Sequence, residues 1–368
     1  KVFWLMQTVA IRSFETQIAA HAVTVYELCC ASGFSVQLMN WGASVLDIRM
    51  PDKTGQIESV LLGFADMNDY AHNPSYLGAT IGRTAGRIAR GRYAMNGVVQ
   101  QLPLTQGAHV LHGGSNAMSH QLWQHRAQQL ADGRAQVVFS LVSPAGENGY
   151  AGNLAIELTY TLDQAQHLTL HYRATTDAPT LCNLTHHSYF NLSGNLRDMN
   201  MDTVHAHQLH IHADAVCAMS DELLVNGDEW VVACSDFDYR RSRAVADILN
   251  SGDPRITQAR GVDHYFIFDR VEAGREQVTL CEPNSGRRLR VYTDQPCAVL
   301  YAHNYAAGER LRGGAVGQPY DALCIETQLC PHRAKSNGDH PARLLPDEEY
   351  RHECVYAFDV MNSNGELK

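Results

Sequence analysis

The chain has 368 residues, 45% of them hydrophobic, and a formal net charge of −10. Such a chain is long enough to bury a large core, and an all-β domain can run to this length undivided. The negative charge argues against nucleic acid as a partner, because phosphate binding needs a basic face. It disfavours anionic membrane surfaces for the same reason, whereas a small neutral substrate is compatible with it.

The cysteines and the hydropathy pattern indicate a cytoplasmic protein. No CxxC pair occurs among the ten cysteines, and the neighbours Cys29 and Cys30 cannot easily form a relaxed bridge. We interpret the cysteines as reduced, buried, small hydrophobes. Those that lie in apolar runs include Cys182, Cys217, Cys234, Cys297 and Cys324. No run approaches the ~20 apolar residues that span a bilayer, and the charges that follow residues 1–11 are unlike a signal-peptide cleavage region.

Period-2 alternation of apolar and polar residues dominates the chain and predicts β-strands. In chain order, the strands with the clearest patterns are residues 136–142, 156–162, 167–173, 277–282 and 287–293. The turn signal at residues 283–286 predicts that the last two strands form a hairpin. Segments with a 3.6-residue period are scarce, and residues 242–249 are predicted as one short helix.

Many short strands separated by turn signals are typical of a sandwich or a barrel. No low-complexity linker divides the chain, and no internal repeat has a fixed period. We therefore predict an all-β fold with one large β-sandwich domain over residues 21–368. Residues 1–20 are predicted to be an appended N-terminal segment.

The strongest acid–base candidates are two adjacent histidines and one glutamate. His186 and His187 stand in a polar and aromatic run, residues 183–194, and histidine is the side chain that exchanges protons near pH 7. Neighbours on a strand point to opposite faces, so at most one of the two faces a pocket; a core histidine is the alternative. Glu326 lies in an apolar strand, where a carboxylate is costly unless it is functional or sits in a buried ion pair.

Three further segments place ionisable groups beside glycine or aromatic residues. Arg83 and Arg87 are four residues apart in a glycine-punctuated segment and are either site residues or a surface pair. His112 precedes two glycines, where a backbone can approach a ligand closely, although a plain turn has the same pattern. Asp263 precedes His264 and is either a site residue or half of a turn-capping pair.

A metal site is a further alternative, which we consider and do not adopt. Two HxH pairs lie close together, and HxH on a strand puts both imidazoles on one face. The histidines concerned are His205, His207, His210 and His212. No acidic or thiol ligand accompanies them at a recognised spacing, so we predict no metal. The phosphate-binding patterns GxxxxGKS and GxGxxG and the elbow GxSxG are absent, which argues against nucleotide cofactors and that serine chemistry.

Together these segments resemble the aldose 1-epimerase family, the galactose mutarotases, from about residue 25 to residue 360. Each motif is weak alone, but seven of them occur in the family's order. They are YLGATIGR at 76–83, AGRI at 85–88, LHGG at 111–114, SPAGENGYAGNL at 143–154, NLTHHSYFNL at 183–192, DH at 263–264 and ETQ at 326–328.

The resemblance implies a large antiparallel β-supersandwich with an open sugar-binding cleft. It implies that His187 is the general acid and Glu326 the general base. The residues that it implies for sugar binding are Arg87, His112, Asp263 and Gly86. It implies no organic cofactor and no catalytic metal. The expected partner is a small-molecule aldose, with no nucleic acid and no membrane, and the expected assembly is a monomer or a homodimer.

The chain departs from the family pattern at several positions that bear on sugar preference. The family often has asparagine where Gly86 stands and usually has asparagine where His186 stands. It commonly has a glutamine where this chain has Val299, two residues before the segment Tyr301-Ala302-His303-Asn304. Valine cannot replace the hydrogen bonds of an amide. His303 would compensate only if its ring reached the cleft.

The implied chemistry needs one acid and one base on a single sugar. Anomers interconvert through the open-chain aldehyde, and each positioned acid or base contributes about 10²–10⁴-fold. We expect the charges of Glu326 and Asp263 to favour a protonated His187, and Arg87 to anchor the substrate as a forked donor. Two alternatives stay open: a non-catalytic carbohydrate-binding β-sandwich, and a relative of hexose-phosphate epimerases, which would need an additional basic cluster.

Overall fold

The structure, a computed structural model, describes residues 8–194, 196, 203–331 and 338–361. In chain order the strands are β1 (Ala10–Ile18), β2 (His21–Cys29), β3 (Ser35–Met39), β4 (Ser44–Pro51), β5 (Ile57–Ser59), β6 (Thr80–Ile81), β7 (Arg87–Ile88), β8 (Arg92–Met95), β9 (Val98–Gln101), β10 (Val110–Leu111), β11 (Gln124–Gln129), β12 (Ala135–Ser143), β13 (Leu154–Leu162), β14 (His167–Thr176), β15 (Thr180–Leu181), β16 (Thr185–His186), β17 (Tyr189–Phe190), β18 (Gln208–Ile211), β19 (Ala213–Met219), β20 (Val225–Val231), β21 (Arg243–Ala244), β22 (Asp263–Phe268), β23 (Glu276–Cys281), β24 (Arg287–Thr293), β25 (Cys297–Tyr301), β26 (Leu323–Gln328), β27 (Arg343–Leu344) and β28 (Tyr350–Val360).

Helices are few and short in this part of the chain. The α-helices are α1 (Val245–Leu249) and α2 (Pro254–Thr257). Single 3-10 turns occur at Met67–Ala71, Ala89–Gly91, Met118–His120, Glu147–Gly149, Val204–Ala206 and Arg312–Gly314. No helix among the described residues has the length and apolar character needed to cross a membrane.

Three antiparallel sheets contain most of the strands. Their strand orders are β1-β2-β3-β4-β5, β11-β12-β13-β14-β28-β24-β23-β18-β21, and β17-β26-β25-β22-β19-β20. Four two-stranded pairs, β6–β16, β7–β10, β8–β9 and β15–β27, connect the loops between them. The third sheet carries the candidate site, because Asp263 opens β22 and Glu326 lies in β26.

The strands form because apolar residues recur at every second position and turn to the inside. In β13 the side chains of Leu154, Ile156 and Leu158 are buried, whereas those between them are more exposed. Residues from all three sheets, such as Val36 and Phe266, belong with Leu158 to one buried cluster. The sheets therefore pack inner face to inner face around a common core, as in a sandwich.

The predicted all-β fold is confirmed, and most of the predicted elements lie where the pattern placed them. The predicted hairpin is β23–β24, whose turn is closed by the Glu282 amide donating to the Arg287 carbonyl at 2.9 Å. The predicted helix begins late, at Val245, because Arg243 and Ala244 pair with β18 as a strand.

The domain boundary near residue 20 stays a prediction. It falls in the turn between β1 and β2, which pair along their full length from Ala10 opposite Cys29 to Ile18 opposite His21. Residues 10–18 thus form an edge strand of the five-stranded sheet. Residues 1–7 lie outside the described residues.

Candidate active site

A cavity of about 560 Å³ opens between β22, β25 and β26 on one side and the loops around β7 and β10 on the other. This volume is in the range of small-molecule sites. Tyrosines contribute much of its wall, which suits the apolar faces of a sugar ring. They are Tyr76, Tyr189, Tyr265, Tyr301 and Tyr305.

His187 is fixed in this wall by its backbone and by its neighbours' rings. Its amide donates to the Ala79 carbonyl at 3.0 Å, and its carbonyl accepts from the Gly78 amide at 3.0 Å. Its ring stacks between Tyr76 and Tyr189, with centroids 6.0 and 5.0 Å away. The imidazole thus has one orientation, which a proton donor or acceptor requires.

His186 points away from the cavity, as its position next to His187 predicts. Its Nδ1 lies 2.7 Å from the Ser188 hydroxyl, and its ring meets Tyr160 edge-on at 6.1 Å. Burial lowers the pKa of His186 to about 3. This histidine is therefore the neutral core residue of the pair.

Glu326 lies opposite His187 at the bottom of the cavity. Its Oε1 is 3.5 Å from Nε2 of His187, and both side chains are about 95% buried. Burial raises the pKa of Glu326 well above its ordinary value, the charge of Asp263 raises it further, and Arg87 opposes the shift. A carboxyl and an imidazole thus lie close together in a buried site, as acid–base chemistry on one substrate requires.

The expectation that charge favours a protonated His187 is wrong. Burial lowers the pKa of His187 to about 3. The burial that lowers this pKa outweighs the nearby carboxyl groups of Glu326 and Asp263, whose own pKa values burial raises. Burial thus disfavours the charged forms of both members of the pair.

Arg87 and Asp263 form a charged pair beside these two residues. Nη1 of Arg87 lies 3.8 Å from Oδ2 of Asp263, and its Nε donates to Oε1 of Gln106 at 3.0 Å. Both side chains are less than one-fifth exposed. Burial raises the pKa of Asp263 against the opposing charge of Arg87. The remaining guanidinium donors of Arg87 are available to a ligand in the cavity.

His112 is held by the backbone of the segment that carries Arg87. Its Nδ1 accepts from the Gly86 amide at 3.2 Å, and its ring lies 5.5 Å from that of His187. Burial lowers the pKa of His112 well below its ordinary value, so the ring is neutral. Because Nδ1 accepts, Nε2 carries the proton and is a donor for a ligand.

One group of possible metal ligands occurs among the described residues, and its chemistry does not fit a metal. His112, His187 and Glu326 each place a ligand atom within 4.8 Å of the others. However, Nδ1 of His112 accepts from the Gly86 amide, so its Nε2 holds a proton and has no lone pair for a cation. A bound cation needs these groups deprotonated.

The histidines between residues 205 and 212 form no group of three or more metal ligands among the described residues. His205 bonds the Thr203 hydroxyl, His207 accepts from the Leu192 amide at 2.8 Å, and His210 bonds the Arg240 carbonyl. These three are engaged with different neighbours, whereas the rings of His210 and His212 lie 4.4 Å apart, and no third ligand joins them among the described residues.

Arg83 is a buried structural residue, neither a residue of the cavity nor a surface arginine. It is 2% exposed, and its guanidinium donates to four carbonyls and to two hydroxyls. The partners are Ser143 (side chain and carbonyl), Pro144, Ala151, Gly152 and the Thr180 hydroxyl. It clamps the loop after β12 to the start of β15.

Val299 lines the cavity, opposite Glu326 on β26 and Tyr265 on β22. His303 does not line it: the ring is fully buried behind Tyr189, with Nε2 3.5 Å from Oε1 of Glu309. It therefore cannot replace the hydrogen bonds that valine lacks. Cys234 is exposed and Cys29 and Cys281 are partly buried, in contrast to the predicted burial, whereas the other seven cysteines are buried.

Sequence reasoning did not assign Gln328 and Tyr265 to the cavity, although each had a usable signal. Gln328 stands two positions after Glu326 on β26, and the period of a strand puts both on one face. Tyr265 had the same signal relative to Asp263 on β22, whereas the approach of its hydroxyl to Gly86, far away in the chain, had none.

Comparisons of the chain with known proteins all lead to one family. The aldose 1-epimerase family pattern matches residues 24–357. The galactose mutarotase of Mus musculus is 35% identical over 327 residues, which cover 89% of this chain and 91% of that protein. The aldose 1-epimerase of Escherichia coli K12 is 32% identical over 335 residues, which cover 89% of this chain and 92% of that protein.

A solved structure agrees with these sequence relatives. The galactose 1-epimerase of Lactobacillus acidophilus superimposes with a TM-score of 0.84 at 27% identity, covering 96% of this chain and 99% of that one. The chain belongs to the aldose 1-epimerase family and is an enzyme of the isomerase class.

Proposed function

We propose that the protein interconverts the α and β anomers of free aldohexoses such as galactose and glucose. The observation that carries this proposal is the His187–Glu326 pair, 3.5 Å apart and buried in a cavity lined by tyrosines. Its family membership supports the same reaction, since its relatives are named galactose mutarotase and aldose 1-epimerase.

In the proposed mechanism His187 is the general acid and Glu326 the general base. Glu326 takes the proton from the anomeric hydroxyl, and His187 gives a proton to the ring oxygen as the C1–O5 bond breaks. The aldehyde rotates about C1–C2, and the ring closes on its other face. Each group then returns its proton, so that the enzyme is unchanged and neither a redox step nor a covalent intermediate is needed.

The pKa shifts of His187 and Glu326 favour the intermediate stage of this mechanism, in which the sugar ring is open. After ring opening Glu326 is protonated and His187 is neutral, and this is the protonation state that burial favours for both groups. The cavity thus stabilises the pair in the form that accompanies the open-chain aldehyde. Interactions that strengthen along the reaction raise turnover rather than substrate affinity.

We propose that Arg87, His112, Asp263 and the Gly86 segment bind the sugar hydroxyls. Arg87 and His112 offer N–H donors, and Asp263 offers a carboxyl acceptor next to Arg87. The Gly86 amide is occupied by Nδ1 of His112, so its part is to hold that ring. Groups fixed by one another keep their geometry when a ligand enters.

A hexose phosphate fits this cavity less well than a free aldose. Arg87 is the single lysine or arginine among the described residues that line it, whereas Asp221, Glu222, Asp263 and Glu326 are all acidic. A phosphate group needs cationic or backbone donors. The additional basic cluster that this alternative requires has no counterpart in the described wall.

The test is polarimetry on freshly dissolved α-galactose, α-glucose, xylose and arabinose, with and without the protein. We expect the rotation to reach equilibrium faster with protein. A sugar that binds without any acceleration would instead favour the non-catalytic binding sandwich. A cytoplasmic location without nucleic-acid or membrane partners is proposed on charge and cysteine content alone. The proposed assembly stays a monomer or a homodimer.

A further inference from the structure

The side chain of Gln328 leaves one polar atom without a partner at the cavity wall. Gln328 is fully buried, and its Oε1 has no hydrogen-bond partner. Its Nε2 donates to the Glu326 carbonyl at 3.3 Å. Because that carbonyl can only accept, the amide must face it with its nitrogen, and this leaves the oxygen as the unpaired acceptor. A buried acceptor of this kind is normally satisfied, so it requires an explanation.

The position of Gln328 relative to the catalytic pair suggests the explanation. It lies two residues from Glu326 on β26, on the same face, and therefore about 7 Å farther along the strand. Both residues line the cavity. A sugar whose anomeric end lies at Glu326 thus extends a more distant hydroxyl toward this part of the wall.

Tyr265 brings a second unpaired group to the same place. No described residue hydrogen-bonds its hydroxyl, which lines the cavity from β22. A Cβ at Gly86 would clash with this hydroxyl oxygen and would lie 4.0 Å from Oε1 of Gln328. The two polar atoms therefore flank the bare Cα of Gly86, where the backbone has a φ of +76°.

The wall between these groups is apolar. Val299 stands opposite Tyr265 on one side and Glu326 on the other, and Cys297 stands opposite Gln328. The Cys297 thiol is turned to the Gln328 backbone carbonyl. The hydrogen-bonding capacity of this wall beyond Glu326 thus rests on the Tyr265 hydroxyl and the Gln328 oxygen.

We propose that Gln328 and Tyr265 are specificity-determining residues that together bind one non-anomeric hydroxyl of the aldose. The sugar hydroxyl donates to Oε1 of Gln328 and accepts from the Tyr265 phenol. Val299 shapes this subsite, and Gly86 leaves the space in which the Tyr265 hydroxyl sits. The proposal rests on the proposed mutarotase function and adds to it the recognition of one ring position.

The test combines two variants with a series of substrates that each lack one hydroxyl. Tyr265→Phe removes only the phenol oxygen, and Gln328→Met removes the amide at similar length. KM and kcat are measured by polarimetry on galactose and on its 2-, 3-, 4- and 6-deoxy analogues. Gln295→Met is the matched control, because Gln295 is also buried with an unpartnered Oε1 but does not line the cavity.

We expect both cavity variants to raise KM for galactose by about 2- to 10-fold, the size of one neutral hydrogen bond, with kcat little changed. One deoxy analogue lacks the hydroxyl that both residues bind. On that analogue neither variant should raise KM, because the wild-type protein cannot form the bond with this sugar either. Gln295→Met should leave every KM unchanged.

Three results would overturn the proposal: no change of KM in either variant, a change in only one of them, or an equal rise on all analogues. Tyr265→Phe keeps the test valid even if Gln328→Met fails to fold. If wild-type protein does not accelerate galactose mutarotation, the proposed function fails, and calorimetric Kd values across the same sugars then test the subsite by the same pattern.

Discussion

The two adjacent histidines offer a sharp test of the site, because both are buried while their side chains point in different directions. His186 and His187 are 2% and 4% exposed, yet one faces Tyr160 in the core and the other faces Glu326. We expect His187→Ala to remove most activity and His186→Asn to leave most of it.

The two magnitudes follow from what each ring contacts. His187→Ala removes a positioned proton-transfer group, which is worth about 10²–10⁴-fold in turnover. His186→Asn puts at risk one buried hydrogen bond, to the Ser188 hydroxyl, worth about 0.5–1.5 kcal/mol of stability. Since Ser188 does not line the cavity, turnover of this variant should stay within about threefold of wild type.

The assay is initial-rate polarimetry on α-galactose, paired with urea unfolding of the same samples. The expected pattern is a folded, inactive His187→Ala and a slightly less stable, active His186→Asn. If His186→Asn proved the more damaging change to turnover, the assignment of His187 to the reaction would be wrong. Equal losses in both variants would point to a shared structural role instead.

Three further predictions concern specificity, metals and pH. Val299→Gln should lower KM for galactose by about 2- to 10-fold and alter the ranking of galactose, glucose, xylose and arabinose; if neither changes, Val299 takes no part in binding. Turnover should survive prolonged EDTA treatment, because the proposed steps are proton transfers between side chains and sugar; loss on chelation with recovery on zinc addition would contradict this. The free energy of unfolding should fall as the pH drops below about 6.5, since His186, His207 and His264 stay neutral in the folded protein down to pKa values of about 3 to 4 while the unfolded chain takes up protons. His187 is not counted, because the raised pKa of Glu326 opposes its contribution. Urea titrations at successive pH values measure this loss, which is on the order of 1 kcal/mol per histidine per pH unit, and a protein more stable at pH 5.5 than at 7.5 would refute it.

Features that depend on local pattern were predictable from the sequence. Alternation fixed the strands at residues 156–162 and 167–173, because burial on one face follows the period of the strand. The same rule separated His186 from His187. It would also have placed Gln328 beside Glu326, had it been applied one step further along β26.

Features that depend on distant contacts were not predictable. The partners of Arg83 lie between 60 and 97 positions away along the chain. The Tyr265 hydroxyl meets Gly86 only after β22 and β7 have been brought together by the fold. The neutral form of His187 follows from its burial, which outweighs the nearby carboxyl groups. No local sequence pattern indicates how deeply this residue is buried.

The central claim is that His187 and Glu326 exchange the anomers of a free aldose. Proton exchange spectroscopy at anomeric equilibrium tests it directly, because cross-peaks between the α and β H1 signals of galactose report their interconversion. Wild-type protein should raise the exchange rate far above the buffer rate, and Glu326→Gln, which keeps the shape of the side chain, should reduce the catalysed part by at least about 10²-fold. Near-wild-type exchange with a folded Glu326→Gln would contradict the account.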